Sequence, residues 1–302
     1  MHRIGMLALA TLFVALGSRL AGASSQAPDS KKASVQPPSS RAALLTFADL
    51  RGRLDDPDLR IFDARPRAQY EAGHIPGAVH VDTEALEKHA AQPGALDDSN
   101  GWSQRIAPLG IGPESEIVVY DADRQLSAAR VWWILTYLGA KNVALVDGGF
   151  PLWEKEGHPV STAPANVGPS TLAIQLQPER HASREDVLKA HSGQGTQILD
   201  ARSAEEFTGQ AKRSRRSGHI PRACHLEWKE LVAVDGRFLE PDALRTKLQL
   251  SGIKPASPVI THCQGGGRSS VNAFVLERLG HPARNYYLGW SDWGNADDTP
   301  ID

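Results

Sequence analysis

The sequence predicts an α/β protein of two similar domains, each a mostly parallel sheet flanked by helices. Three observations predict it. One unit of sequence is written twice, β-rich runs alternate with helical ones inside each copy, and a glycine-rich loop carrying a cysteine follows a strand-like run in the second copy. A chain of 302 residues that is 41% hydrophobic can bury a sizeable core, and its length suits two domains.

The chain opens on a segment that reads as a secretory signal. Arg3 supplies a short positive region, Ile4 to Leu16 is apolar, and Ala21-Gly22-Ala23 is a small-residue cleavage site before Ser24. The apolar run is shorter than the roughly 20 residues that span a bilayer comfortably. No cysteine near the site offers lipid attachment. A signal peptide over residues 1–23, cut after Ala23, is therefore expected, with a periplasmic or secreted product and no stable membrane insertion after cleavage. Residues 24–40, rich in Ser, Ala, Gln, Pro and Lys, read as a disordered spacer. Removing residues 1–23 deletes Arg3 and Arg19 and no acid, taking the formal charge from −2 to −4. A mildly acidic chain without a long basic run is a poor nucleic-acid binder, and a monomer is expected.

The duplication follows. Ile61-Phe62-Asp63-Ala64-Arg65 returns as Ile198-Leu199-Asp200-Ala201-Arg202, and Gly73-His74-Ile75-Pro76-Gly77-Ala78 as Gly218-His219-Ile220-Pro221-Arg222-Ala223. Each copy closes on Gly and Trp, at Gly149 to Trp153 and Gly289 to Trp293. The period is too long for a solenoid, whose repeats run about 20–50 residues. The copies are placed at 41–157 and 181–302, joined by a linker over 158–180 that holds Pro159, Pro164, Pro169 and Pro178. Thr46 to Asp49 and Ser183 to Asp186 read as helix starts with a capping oxygen. Strands are expected at 59–63, 116–121 and 142–147, with counterparts at 196–200, 257–262 and 283–288.

The chemistry concentrates in Val259-Ile260-Thr261-His262-Cys263-Gln264-Gly265-Gly266-Gly267-Arg268-Ser269-Ser270. A β-branched run ends at Cys263, three glycines can aim several N–H groups at one point, and a helix start adds partial positive charge. A cysteine in such a cradle is expected as the thiolate, the nucleophilic form. Ligand sites in these sheets lie beyond the carboxyl ends of the strands, which is where Cys263 falls. Exported proteins often staple paired cysteines, so a bridge between Cys224 and Cys263 is the structural alternative. A glycine cradle would serve no purpose around it.

Two strand-Asp-x-Arg units, each followed by Gly-His-Ile-Pro, with a cysteine loop in the second copy, resemble the tandem-domain rhodanese sulfurtransferases. The likeness runs from about Arg41 to the C-terminus. It implies two tandem rhodanese-like domains, the first non-catalytic and the second catalytic. Ala122 stands where the second copy has Cys263, which fits. The resemblance implies that the Cys263 thiolate takes the outer sulfur of an anionic donor such as thiosulfate, releases sulfite, and passes the sulfur from a persulfide to cyanide or a thiol acceptor. Gln264, Gly265, Gly266, Gly267, Arg268 and Ser269 are the expected substrate-binding loop, with Arg268 either meeting the sulfonate or anchoring the loop to a carboxylate.

This sequence departs from its relatives in places. Those acting on mercaptopyruvate carry a serine two positions after the nucleophile, where this chain has Gly265. Animal-type thiosulfate enzymes carry basic residues directly after the cysteine, where Gln264 and Gly265 stand here. Glu206, before Phe207, replaces a frequent substrate-binding arginine, so negative charge is expected near the donor. The second copy has eight extra positions between Asp200 and Gly218, carrying Lys212, Arg213, Arg215 and Arg216. This insertion either overhangs the cleft or is an ordinary surface loop. Arg216 and Arg222, flanking Gly-His-Ile-Pro, are its better candidates for substrate contact. His74 and His219 are expected in turns, Asp63 and Asp200 as braces, Trp290 and Trp293 as core or cleft lining, and His262 pointing away from the loop. No spaced ligand cluster suggests a metal, and no cofactor is expected. A cysteine phosphatase would place five residues between Cys and Arg; here there are four. A sulfur carrier or interaction module without turnover is the reading from another class.

Overall fold

The computed structural model describes residues 42–193 and 195–302. The expected signal peptide, its cut after Ala23 and the spacer lie outside the described residues. The first sheet holds β1 (Ala43–Leu45), β2 (Leu59–Asp63), β3 (Val79–His80), β4 (Glu116–Tyr120) and β5 (Asn142–Val146). All are parallel, in the order β1-β5-β4-β2-β3. The second sheet holds β6 (Gln197–Asp200), β7 (Cys224–His225), β8 (Val259–His262) and β9 (Ala283–Tyr286), in the order β7-β6-β8-β9, again parallel. The sequence repeat is thus a repeat of topology. A single parallel bridge between His181 and Asn285 stands in the second sheet where β1 stands in the first.

Strand edges differ from expectation where a side chain or a proline intervenes. Pro258 has no N–H for the ladder, so β8 starts at Val259, two residues later than its sequence pattern suggests. Asp121 and Asp147 leave their strands because their carboxylates cap backbone N–H groups instead. Thr46 and Ser183 each complete a capping box, with Asp49 and Asp186 respectively, so both helix starts are fixed by reciprocal side-chain bonds.

The segment 158–180 is not a free tether. Ser161 and His74 exchange backbone hydrogen bonds at 2.8 and 2.9 Å, and the Gln175 and Gln177 amides bond the carbonyls of Leu138 and Tyr137. The two sheets share one apolar core, centred on the helices Leu126–Tyr137 and Gly267–Arg278. Trp132 meets Phe274 edge-on at 5.1 Å, and Trp133 stacks on Tyr287 at 4.7 Å. Polar ties add direction. Arg124 donates to the carbonyls of Lys229, Val232 and Ala233, and Gln125 Nε2 donates to Gly236 O at 2.8 Å. Among the described residues no helix is long and apolar enough to cross a membrane.

Candidate active site

Cys263 follows the last residue of β8 and is buried, 1% exposed. Its loop is arranged by what happens to its carbonyls. Those of Cys263 and Gln264 accept from the amides of Trp290 and Ser291 at 2.7 and 2.9 Å, and that of Gly265 accepts from Gly267 N at 3.1 Å. The Gly266 carbonyl takes Ser269 Oγ, Ser270 Oγ and the Ser270 amide at 2.8 to 3.0 Å. The amides of Gln264, Gly265, Gly266, Arg268 and Ser269 have no protein acceptor among the described residues. The loop therefore spends its acceptors on the protein and keeps its donors, at the start of a twelve-residue helix. That arrangement suits an anion.

Two glycines are needed for this shape. Gly266 has φ +83° and lies on the Tyr287 ring, which a Cβ would meet at 2.4 Å. Gly289 has φ +52°, and a Cβ there would stand 2.2 Å from the Cys263 carbonyl oxygen. By contrast a Cβ at Gly265 would enter open space. Ser269 Oγ stands 3.5 Å from Cys263 Sγ and also bonds Asn285 Oδ1 at 2.7 Å. Asn285 Nδ2 returns to Ser270 Oγ at 3.2 Å, so a buried polar network underlies the loop.

Arg268 is engaged. Its two terminal nitrogens bond both oxygens of Glu206 at 2.5 and 3.0 Å, which leaves the anchoring alternative as the geometry observed. Glu206, expected as a negative charge near the donor, is buried and paired. It is 2% exposed, and Arg213 Nε also reaches it at 3.2 Å. Burial pushes its pKa up, but the bonds and charge of Arg268, with Ser203 and Arg213, hold it below the usual carboxylate range.

The inserted basic loop meets the Cys263 loop: Gln264 Nε2 donates to Ser214 Oγ at 3.1 Å. Arg216, expected as a substrate contact, has its terminal nitrogens engaged by the protein. Its guanidinium donates to the carbonyls of Thr299 and Trp293, at 2.8 and 3.0 Å, because the C-terminal segment offers carbonyls to a half-buried cation. Arg215 likewise pairs with Asp297.

The remaining candidates take structural places. Asp63 and Asp200 each bind the following arginine, Arg65 or Arg202, which donates onward to Gly73 O at 2.6 Å or Gly218 O at 2.8 Å. His74 Nδ1 and His219 Nδ1 lie 2.8 and 3.0 Å from the carbonyls of Tyr70 and Phe207, on whose rings they stack. His262 is fully buried, 3.5 Å from Asp200, and burial pushes it down to about 4, so it is neutral at pH 7. Both cysteines are free. Cys224 lies on β7, and burial pushes its thiol up, away from the thiolate. Trp290 and Trp293 are buried. Among the described residues no group of His, Cys, Asp and Glu could hold a metal ion.

In the first copy the equivalent loop is filled from within. The Asp121 carboxylate accepts from the amides of Asp123, Gln125 and Ala128 at 3.3, 3.1 and 2.9 Å. The donors that would receive an anion there are spent on a side chain.

Three residues at the Cys263 loop escaped sequence reasoning: Asn285, Tyr287 and Arg130. Arg130 had a signal, as a lone cation before the apolar run Val131 to Leu135. It belongs to the first domain, yet its guanidinium packs on Gly267.

A family model described as rhodanese-like domain matches residues 46–156 and 183–296. A thiosulfate sulfurtransferase of Azotobacter vinelandii is 34% identical over 258 residues, 84% of this chain and 95% of the relative. A 3-mercaptopyruvate sulfurtransferase of Escherichia coli K12 is 31% identical over 268 residues, with the same coverage. A sulfur carrier protein of Thermus thermophilus is 31% identical over 266 residues, 82% of this chain and 92% of the relative. The crystal structure of SseA from Escherichia coli matches with a TM-score of 0.72 at 27% identity, over 82% of this chain and 99% of that one.

Proposed function

Since the chain belongs to the tandem-domain rhodanese sulfurtransferases, we propose that it moves sulfane sulfur from thiosulfate to a thiol or cyanide through a persulfide on Cys263. The Cys263 thiolate attacks the outer sulfur of the donor, the donor's S–S bond breaks, and sulfite leaves with the bonding pair. The product is Cys263–S–S⁻. An acceptor thiolate or cyanide then attacks the terminal sulfur and the Cys263 thiolate returns, so no redox cofactor is consumed. Negative charge is present in every state of this cycle. A loop whose carbonyls are all engaged while five amides stay open is the observation that carries the reading, since it stabilises that charge without reorganising.

Thiosulfate is preferred over 3-mercaptopyruvate because Gly265 provides no hydroxyl beside the nucleophile. Relatives carry both names, which makes the donor the part to test. Steady-state kinetics of the mature chain with each donor, against cyanide and against a dithiol, should give a higher kcat/KM for thiosulfate. A higher value for mercaptopyruvate at matched pH and salt reverses the assignment. Persulfide formation without turnover to any small acceptor would favour the sulfur-carrier reading, which the Thermus relative supports. We further propose that the mature chain is exported, acts as a monomer, and meets small anionic donors rather than nucleic acid or membrane.

A further inference from the structure

Arg130 sits in the helix Leu126–Tyr137 of the first domain, with its side chain 11% exposed. Its guanidinium reaches across to the N-terminus of the helix that follows Cys263. A Cβ at Gly267 would stand 2.4 Å from Arg130 Nη2 and 2.9 Å from Cζ, so only a glycine admits this approach. Nη1 pairs with Glu87 Oε1 at 2.9 Å and stands 3.5 Å from the Tyr287 hydroxyl. Nε and Nη2 have no protein acceptor among the described residues. Burial disfavours its charge, but Tyr287, Glu87 and Cys263 together keep it protonated. The other arginine at the loop, Arg268, has both terminal nitrogens on Glu206. The donor has a charged end group, and Arg130 is a largely buried cation at the loop with donors still open.

We propose that Arg130 binds the anionic head of the sulfur donor at the Cys263 loop, which makes the active centre a joint product of both domains. This rests on the sulfurtransferase reading above. A guanidinium can offer two parallel N–H groups to a sulfonate or carboxylate, while the attacked sulfur lies over the loop amides. Glu87 is 51% exposed and holds Nη1, so it competes with an anionic donor for the guanidinium's charge while Nε and Nη2 stay open.

The test separates the two half-reactions in the full chain carrying Arg130→Met or Arg130→Lys. Loading of Cys263 by thiosulfate is followed as cyanide-reactive sulfur, and discharge of the preloaded persulfide is followed with the neutral dithiol dithiothreitol. Arg130→Met should raise KM for thiosulfate about ten- to a hundredfold, the loss of a charged hydrogen bond, with kcat changing far less. Discharge to dithiothreitol should stay within about twofold, because that acceptor has no anionic head for the residue to bind. Arg130→Lys should recover part of the loss, since it keeps the charge but not the planar fork. Unchanged KM in Arg130→Met, or equal damage to both half-reactions, overturns the proposal. Should Arg130→Met fail to fold, Glu87→Gln decides. Removing the competing carboxylate should lower KM for thiosulfate about two- to fivefold, and an unchanged or raised KM refutes it. A wild-type chain that never acquires a persulfide from any donor defeats the functional reading itself. Wild-type turnover with unaltered KM in Arg130→Met defeats only the role of Arg130.

Discussion

Glu206→Gln is the most informative single change, because it removes one charge and almost no volume. The carboxylate side chain is 3% exposed and holds both terminal nitrogens of Arg268, at the first turn of the helix that follows Cys263. Breaking one side of a buried ion pair costs about 3–5 kcal/mol. Arg268 keeps 18% exposure and the glutamine carbonyl keeps one acceptor, so the expected loss is nearer 2–3 kcal/mol. At about 2–4 °C per kcal/mol for a chain of this size, Tm should fall by roughly 5–10 °C at pH 7. The sign with pH follows from the depressed pKa of Glu206. Its contribution is fully present above the unfolded-chain value of about 4.3 and is lost as pH falls through the lower folded value. The Tm gap between wild type and Glu206→Gln should therefore be widest near neutrality and close in acid. Other carboxylates titrate in both proteins and cancel in the difference. In kinetics kcat should fall about tenfold, since a misplaced loop costs alignment, while a freed Arg268 keeps KM from rising. Thermal melts across pH with parallel thiosulfate assays check all of this. A Tm within about 1 °C of wild type, or a gap that does not change with pH, would refute the view that this pair anchors the loop.

Other outcomes follow from the same geometry. Cys263→Ser should abolish persulfide formation, because a hydroxyl cannot carry the transferred sulfur, while Cys224→Ser leaves transfer largely intact; equal loss in both, with a disulfide seen by mass spectrometry, would contradict two free thiols. Gly265→Ser enters open space and should fold normally while shifting the kcat/KM ratio toward mercaptopyruvate. Gly266→Ala must hold a left-handed φ against the Tyr287 ring, and should lose at least about 1–2 kcal/mol in chemical denaturation together with activity. Ser24 should be the first residue of protein recovered from the exported fraction of a bacterial host, as read by N-terminal sequencing; an intact Met1 chain in the membrane fraction would mean an anchor instead.

What the sequence made legible was local, and what it hid was tertiary. The β-branched runs, the Thr46 and Ser183 caps and the repeated Asp-x-Arg unit depend on neighbours a few residues away, and the structure carries them with small shifts such as the start of β8 after Pro258. The Cys263 loop was legible for the same reason. The partners of Arg216 were hidden because flanking a turn says nothing about the carbonyls of Trp293 and Thr299, some eighty residues on. Glu206 was read as a charge set against the donor because its two arginine partners come from an insertion and from the far end of the loop. Asn285 and Arg130 arrive through strand pairing and domain packing, which no local pattern encodes. The first domain shows the cost of that locality most clearly. Ala122 marks a missing thiol, but its absence is only half of what sets that copy's loop apart. The Asp121 carboxylate occupies the amides at the start of the helix Leu126–Tyr137, with its proton affinity raised by burial and by Asp123. A cysteine at 122 would meet a cradle already filled by a carboxylate. The same helix whose start is capped by Asp121 sends Arg130 from its next turn to the second copy's loop, so the filled cradle of the first copy and its contact with the second are built on a single element.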